Sequence, residues 1–167
     1  MNDELNILIL SCGTRNKIVQ YFKKELSGRG FVLATDCSNL APALYEADKY
    51  IVVPGMDEDG YLDVDEDGYL DVILSICKEN NIKAVLSLID PELTLLAQHK
   101  QSFLEIGTLP IVSDVDVVEL SFDKYKMFEF LVENGFKTIK SYIDKEKFYV
   151  DVDKTMVLLT IQYLSSR

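Results

Sequence analysis

Residues 6–15, NILILSCGTR, constrain this chain more than any other stretch. Ile7, Leu8, Ile9 and Leu10 make an unbroken apolar run, the pattern of a strand buried on both faces. Ser11, Cys12 and Gly13 end it with small residues. From Asn16 the period changes: Ile18, Val19, Phe22 and Leu26 recur at three- and four-residue steps, as on a helix. A strand, a tight turn and a helix in that order open a parallel α/β sheet. Such sheets bind ligands at the carboxyl ends of their strands.

The same alternation continues. Residues 27–30, SGRG, stop the first helix. Residues 31–35, FVLAT, read as a second strand, 50–53, YIVV, as a third, 84–89, AVLSLI, as a fourth, and 109–112 as a fifth. Between them fall a short helix at 42–47 and helices at 69–80 and 92–103; helices at 114–120 and 124–134 follow. Five short apolar strands alternating with helices predict a doubly wound, Rossmann-like parallel sheet in the order 3-2-1-4-5.

Composition narrows the function classes. The length, 167 residues, suits one domain. A net charge of -11 argues against a nucleic-acid backbone or an anionic membrane as the principal partner. Three cysteines without a CxxC, namely Cys12, Cys37 and Cys77, read as reduced thiols of a cytoplasmic protein. Asp3 and Glu4 stand where a signal peptide would need basic residues, and no apolar run reaches the length of a membrane span.

Two stretches break the alternation. Residues 57–64 and 65–72 are the identical octad DEDGYLDV. Removing one copy leaves an ordinary strand-to-helix connection, so the repeat reads as an insertion lengthening a surface loop. A second reading is a weak calcium loop. Asp63, Asp65, Asp67, Gly68 and Asp71 fit positions 1, 3, 5, 6 and 9 of an EF-hand, but Leu74 stands where the bidentate carboxylate belongs. The other stretch is 155–167, TMVLLTIQYLSSR, which has no clean period.

Several residues at strand ends carry chemistry. Cys12, Gly13, Thr14 and Arg15 can offer backbone N–H groups and a guanidinium to an anion at a helix start. One glycine is too few for a dinucleotide fingerprint, although Asp36 stands near the position of a ribose-binding carboxylate. Cys12 reads as a nucleophile or as a buried structural thiol; the single histidine, His99, lies on another element. Asp90 and Glu92 flank Pro91 at the end of the fourth strand. They read as substrate carboxylates or as a helix start with Asp90 as cap. Lys124 and Lys126 occupy a first helical turn, against the helix dipole.

Three runs, TDCSNLAPALYEADKYIVVP, SLIDPEL and FDKYKMFEFLVENGFKTIKSY, together resemble the N-terminal half of ATP-grasp proteins, in particular the carbamoyl-phosphate-synthase large-subunit-like group. The resemblance covers residues 6–149. It implies a pre-ATP-grasp domain over 1–149, the substrate side of an ATP-dependent ligase that uses ATP and Mg. It implies that Lys124 contacts ATP and that the loops carrying Cys12, Gly13, Thr14, Arg15, Asp36, Asp90 and Glu92 face the small-molecule acceptor. The glycine-rich loop and magnesium carboxylates of the family's second domain are not in this sequence. The expectation is a chain inactive by itself, binding neither ATP nor Mg tightly, with an interface left open for self-association. Without the resemblance, the residues read as a stand-alone metabolite-binding module or a calcium-responsive interaction domain.

The tail, 150–167, departs from the family. Bases that encode TMVLLTIQYLSSR also encode GVINYPVFIKP in another frame, for a suitable choice of codons. That is an apolar strand ending in a lysine, as the family has there. The expectation is a frame-shifted start of a missing ATP-grasp domain.

Overall fold

The computed structural model describes residues 4–55 and 66–151. The chain divides into two compact units, Met1–Val118 and Glu119–Arg167.

The first unit is built on five parallel strands: β1 (Asn6–Leu10), β2 (Val32–Asp36), β3 (Lys49–Val52), β4 (Ile82–Ser87) and β5 (Leu109–Pro110). Their order is β3-β2-β1-β4-β5, as the alternation predicts. β1 is central and wholly buried, with Leu8 opposite Leu33 on one side and Val85 on the other. The two-residue period of a strand divides its side chains between two cores. Leu8 and Leu10 join Leu33 and Val85 against α2 (Glu66–Glu79), α3 (Asp90–Gln98) and α4 (Lys100–Glu105). Ile7 and Ile9 join Val32 and Ala34 against α1 (Asn16–Leu26) and the 3₁₀ turn Pro42–Glu46. An apolar run without alternation therefore served two faces at once.

Three local readings shift. β4 starts at Ile82 and stops at Ser87, before Leu88 and Ile89. The helix expected over 92–103 is two, α3 and α4, parted at His99, whose φ of -103° and ψ of 19° leave the helical region. Asp90 is not the cap of α3. That position belongs to Ile89, extended and without a side-chain cap bond, while Asp90 and Glu92 sit in the acidic first turn that the dipole favours. β3 is the edge strand that the predicted order requires, exposed at Lys49, Tyr50 and Val52.

Gly30 ends the α1 stop by proximity. A Cβ there would lie 2.3 Å from the Leu5 carbonyl oxygen, so only glycine lets the chain enter β2 beside β1.

α5 (Val115–Phe122) crosses the division between the units. In the second unit, α6 (Lys124–Glu133) is capped by Asp123, whose Oδ1 accepts from the Tyr125 and Lys126 N–H groups at 3.0 Å each. Gly135, at φ 74°, follows its end. α7 (Lys145–Asp151), absent from the sequence reading, is opened by Asp144, which accepts from Glu146 N at 2.8 Å. Phe130, Phe136, Ile139 and Ile143 of this unit are exposed. The tail reading falls on 152–167, outside the described residues. No helix among the described residues is long and apolar enough to cross a membrane.

Candidate functional site

The carboxyl ends of β1, β2 and β4 carry most of the residues singled out by sequence, and two internal carboxylates organise them. The turn after β1 holds two left-handed residues, Ser11 at φ 41° and Gly13 at φ 52°. Glycine accepts that conformation freely; serine does so only with support.

Asp36, the last residue of β2, braces the second of these. Its Oδ2 accepts from Gly13 N–H at 2.7 Å, and its Oδ1 accepts from Ser38 N–H at 3.0 Å. The carboxylate near the position of a ribose partner is thus engaged by the β1 turn itself. The Gly13 carbonyl in turn accepts from Ala43 N–H at 3.1 Å, which ties the turn to the 3₁₀ turn.

Glu92 braces the first. It is fully buried, and its carboxylate collects three hydroxyls from three elements. Ser11 Oγ donates to Oε1 at 2.7 Å, Ser87 Oγ donates to Oε2 at 2.5 Å, and the Tyr69 hydroxyl donates to Oε1. A buried carboxylate is tolerated when several donors surround it. Burial and the adjacent Glu92 charge push the Tyr69 hydroxyl far above its ordinary value, so it remains a proton donor at any working pH. Tyr69 and Ser87 were not singled out by sequence. Ser87 lies within SLIDPEL, and Tyr69 is the aromatic of the second octad.

Cys12 lies between the two left-handed residues with its side chain fully buried, and its N–H donates to Thr35 O at 3.1 Å. Burial first, and the Asp36 charge second, push its thiol up to about 11. A protonated, enclosed thiol is the opposite of an activated nucleophile, so Cys12 acts as a packing residue. Cys37 is exposed, and all three cysteines are free thiols.

Thr14, Arg15 and Asp90 are the predicted residues whose side chains stand exposed at this end of the sheet. Arg15 reaches back over the turn, with Nη1 3.4 Å from the Ser11 carbonyl. Lys124 belongs to the second unit, where it is the exposed first residue of α6. Of the calcium candidates, Asp63 and Asp65 lie outside the described residues, and Asp67 and Asp71 are in α2. Gly68, where an EF-hand loop turns sharply, is also inside that helix. Among the described residues, no group of three or more His, Cys, Asp or Glu is placed to hold a metal.

Comparison with known proteins bears on this arrangement. Among solved structures, the N5-carboxyaminoimidazole synthetase of Staphylococcus aureus, complexed with ADP, superposes with a TM-score of 0.55 at 18% identity, over 88% of this chain and 34% of that one. The biotin carboxylase domain of a single-chain bacterial carboxylase gives 0.52 at 16% identity, over 88% and 33%. A multifunctional pyruvate carboxylase from Rhizobium etli gives 0.53 at 14%, over 82% and 13%. At such identities the likeness is one of fold, and this chain spans 13–34% of their length. No curated protein sequence matches. A family model, the PylC-like N-terminal domain, matches residues 7–111, which hold β1 through β5 and the turns just described. The chain belongs to the PylC-like N-terminal domain family.

Proposed function

We propose that this chain is the substrate-side domain of an ATP-grasp ligase of the carboxylate–amine or carbamoyl-phosphate type. The family match over residues 7–111 carries the reading. The strand order supports it, since it collects the ends of β1, β2 and β4 at one edge of the sheet. In the whole enzyme, the γ-phosphoryl of ATP passes to a carboxylate oxygen, and an amine then displaces phosphate from the acyl phosphate. Magnesium and positioning supply most of that chemistry.

In this reading the exposed Thr14, Arg15 and Asp90 face the acceptor, and Cys12, Gly13, Asp36 and Glu92 shape the wall behind them. Lys124 reaches ATP. The remaining nucleotide and Mg contacts come from a second domain, so this chain by itself neither holds ATP tightly nor turns it over. The exposed Phe130, Phe136, Ile139 and Ile143 supply an apolar surface for that domain or for a second copy of the chain. The setting is cytoplasmic.

The test is calorimetric titration of the purified chain with Mg-ATP, alongside a phosphate-release assay. The expected result is no saturable binding at micromolar nucleotide and no release above buffer. ATP turnover by this chain alone would overturn the proposal.

A further inference from the structure

We propose that Glu92 is the positioning residue of the β1 turn: it holds Ser11 in its left-handed conformation and so sets how the turn presents Thr14 and Arg15. The inference rests on the reading of this turn as part of an acceptor site. Its test needs neither nucleotide nor a second domain, so the two can fail separately.

Ser11 is a non-glycine residue at φ 41°, in a region that L side chains enter only with local support. Among the described residues, its side-chain hydrogen bond goes to Glu92 Oε1, at 2.7 Å. That acceptor is immobile for reasons outside the turn. The carboxylate is fully buried and is held by Tyr69 of α2 and by Ser87 of β4. The turn is therefore referred to a fixed point defined by two other elements. Gly13, the second left-handed residue, needs no such support, because glycine adopts its φ of 52° without strain. Between them Cys12 is locked by its bond to Thr35 O and by burial. Arg15 follows directly, and its guanidinium closes on the Ser11 carbonyl. A change in the Ser11 peptide plane would redirect that carbonyl and the guanidinium with it.

The experiment is amide hydrogen exchange on the full chain, followed at Gly13 and at the β-core amides of Leu8 and Val85. The variants are Ser11→Ala, Ser11→Gly, Glu92→Met, Glu92→Met with Ser11→Gly, and Leu95→Ala. Leu95 is buried on the same helix, so Leu95→Ala serves as a packing control. Ser11→Ala and Glu92→Met are expected to speed Gly13 exchange by about tenfold or more relative to the core amides. Leu95→Ala should move all of these amides together. Adding Ser11→Gly to Glu92→Met should restore Gly13 protection, since glycine needs no support there. Equal acceleration of turn and core amides in Glu92→Met, or no restoration by Ser11→Gly, would overturn the proposal. Should Glu92→Met not fold, the contrast of Ser11→Ala with Ser11→Gly decides: equal Gly13 exchange in the two overturns it.

Discussion

Tyr69 and Glu92 share a hydrogen bond inside the protein, joining the first turn of α2 to the first turn of α3 at the carboxyl end of the sheet. Both residues are almost completely enclosed. Removing the hydroxyl should therefore leave Glu92 with two donors in place of three. Tyr69→Phe is expected to lower stability by about 1–3 kcal/mol, measured by urea denaturation. An unchanged midpoint would mean that the hydroxyl makes no net contribution.

Thr35 provides the opposite case. Its hydroxyl is buried and has no hydrogen-bond partner among the described residues. Thr35→Val keeps the shape and removes an unsatisfied group, so it should be neutral or stabilise by up to about 1 kcal/mol. A loss of more than that would reveal a partner for the hydroxyl.

The repeat yields a third expectation. Tyr69 and Leu70, from the second octad, are core residues of α2. Deleting residues 57–64 leaves a sequence with the same Tyr-Leu-Asp-Val ahead of Ile73. The entropy of closing the connection from β3 to α2 changes by only about 0.8 kcal/mol. The deletion variant should melt within about 3 °C of the parent. A collapse in melting temperature would assign the first copy a structural duty.

Alkaline pH should destabilise the protein through its buried thiols. Burial pushes Cys12 up to about 11 and Cys77 up to about 12, from an ordinary 9.0. The unfolded chain then loses these protons first, binding fewer than the folded one, so stability falls as pH rises from 9 toward 12. Tyr69, also raised, adds to the fall above its ordinary 10.0. Well below pH 9 these groups contribute little slope. Denaturant midpoints across pH 8–11 should show the decline, and Cys12→Ala with Cys77→Ala should flatten it. At pH 8, iodoacetamide should label the exposed Cys37 well before the other two.

The tail reading is tested by nucleotide sequence. From the codon of Asp151 onward, the alternative frame is expected to read GVINYPVFIKP and continue into a glycine-rich loop and paired carboxylates. Absence of that frame would remove the frame-shift explanation, while leaving the family assignment of residues 7–111 untouched.

The sheet was legible because its strands are apolar runs too short for helices and bounded by turn residues. Boundaries were less so. Leu88 and Ile89 extend the apolar run of β4, yet the chain leaves the sheet at Ser87, where the hydroxyl accepts from Ile89 N at 3.1 Å and turns it toward α3. At the site, Ser11, Asp36 and Glu92 could be placed at strand ends by counting. Their direction could not. Whether Glu92 faces solvent or the interior depends on hydroxyls contributed by Ser11, Tyr69 and Ser87, and no local pattern announces that three distant residues will converge.

The position of β1 has a consequence for birth on the ribosome. It is the first strand made, yet one of its edges is covered only by β4. While residues 37–81 are emerging, β1 and β2 can pair, but the other edge of β1 stays open, with Leu8 and Leu10 lacking the helices that cover them. An unpaired apolar edge is a template for wrong partners. The octad lies inside that interval, and each added residue lengthens it. The eight acidic side chains of its two copies, Asp57, Glu58, Asp59, Asp63, Asp65, Glu66, Asp67 and Asp71, are made before the missing strand. The duplication thus prolongs the exposure of the nascent sheet, and charges that stretch of chain against association while it waits.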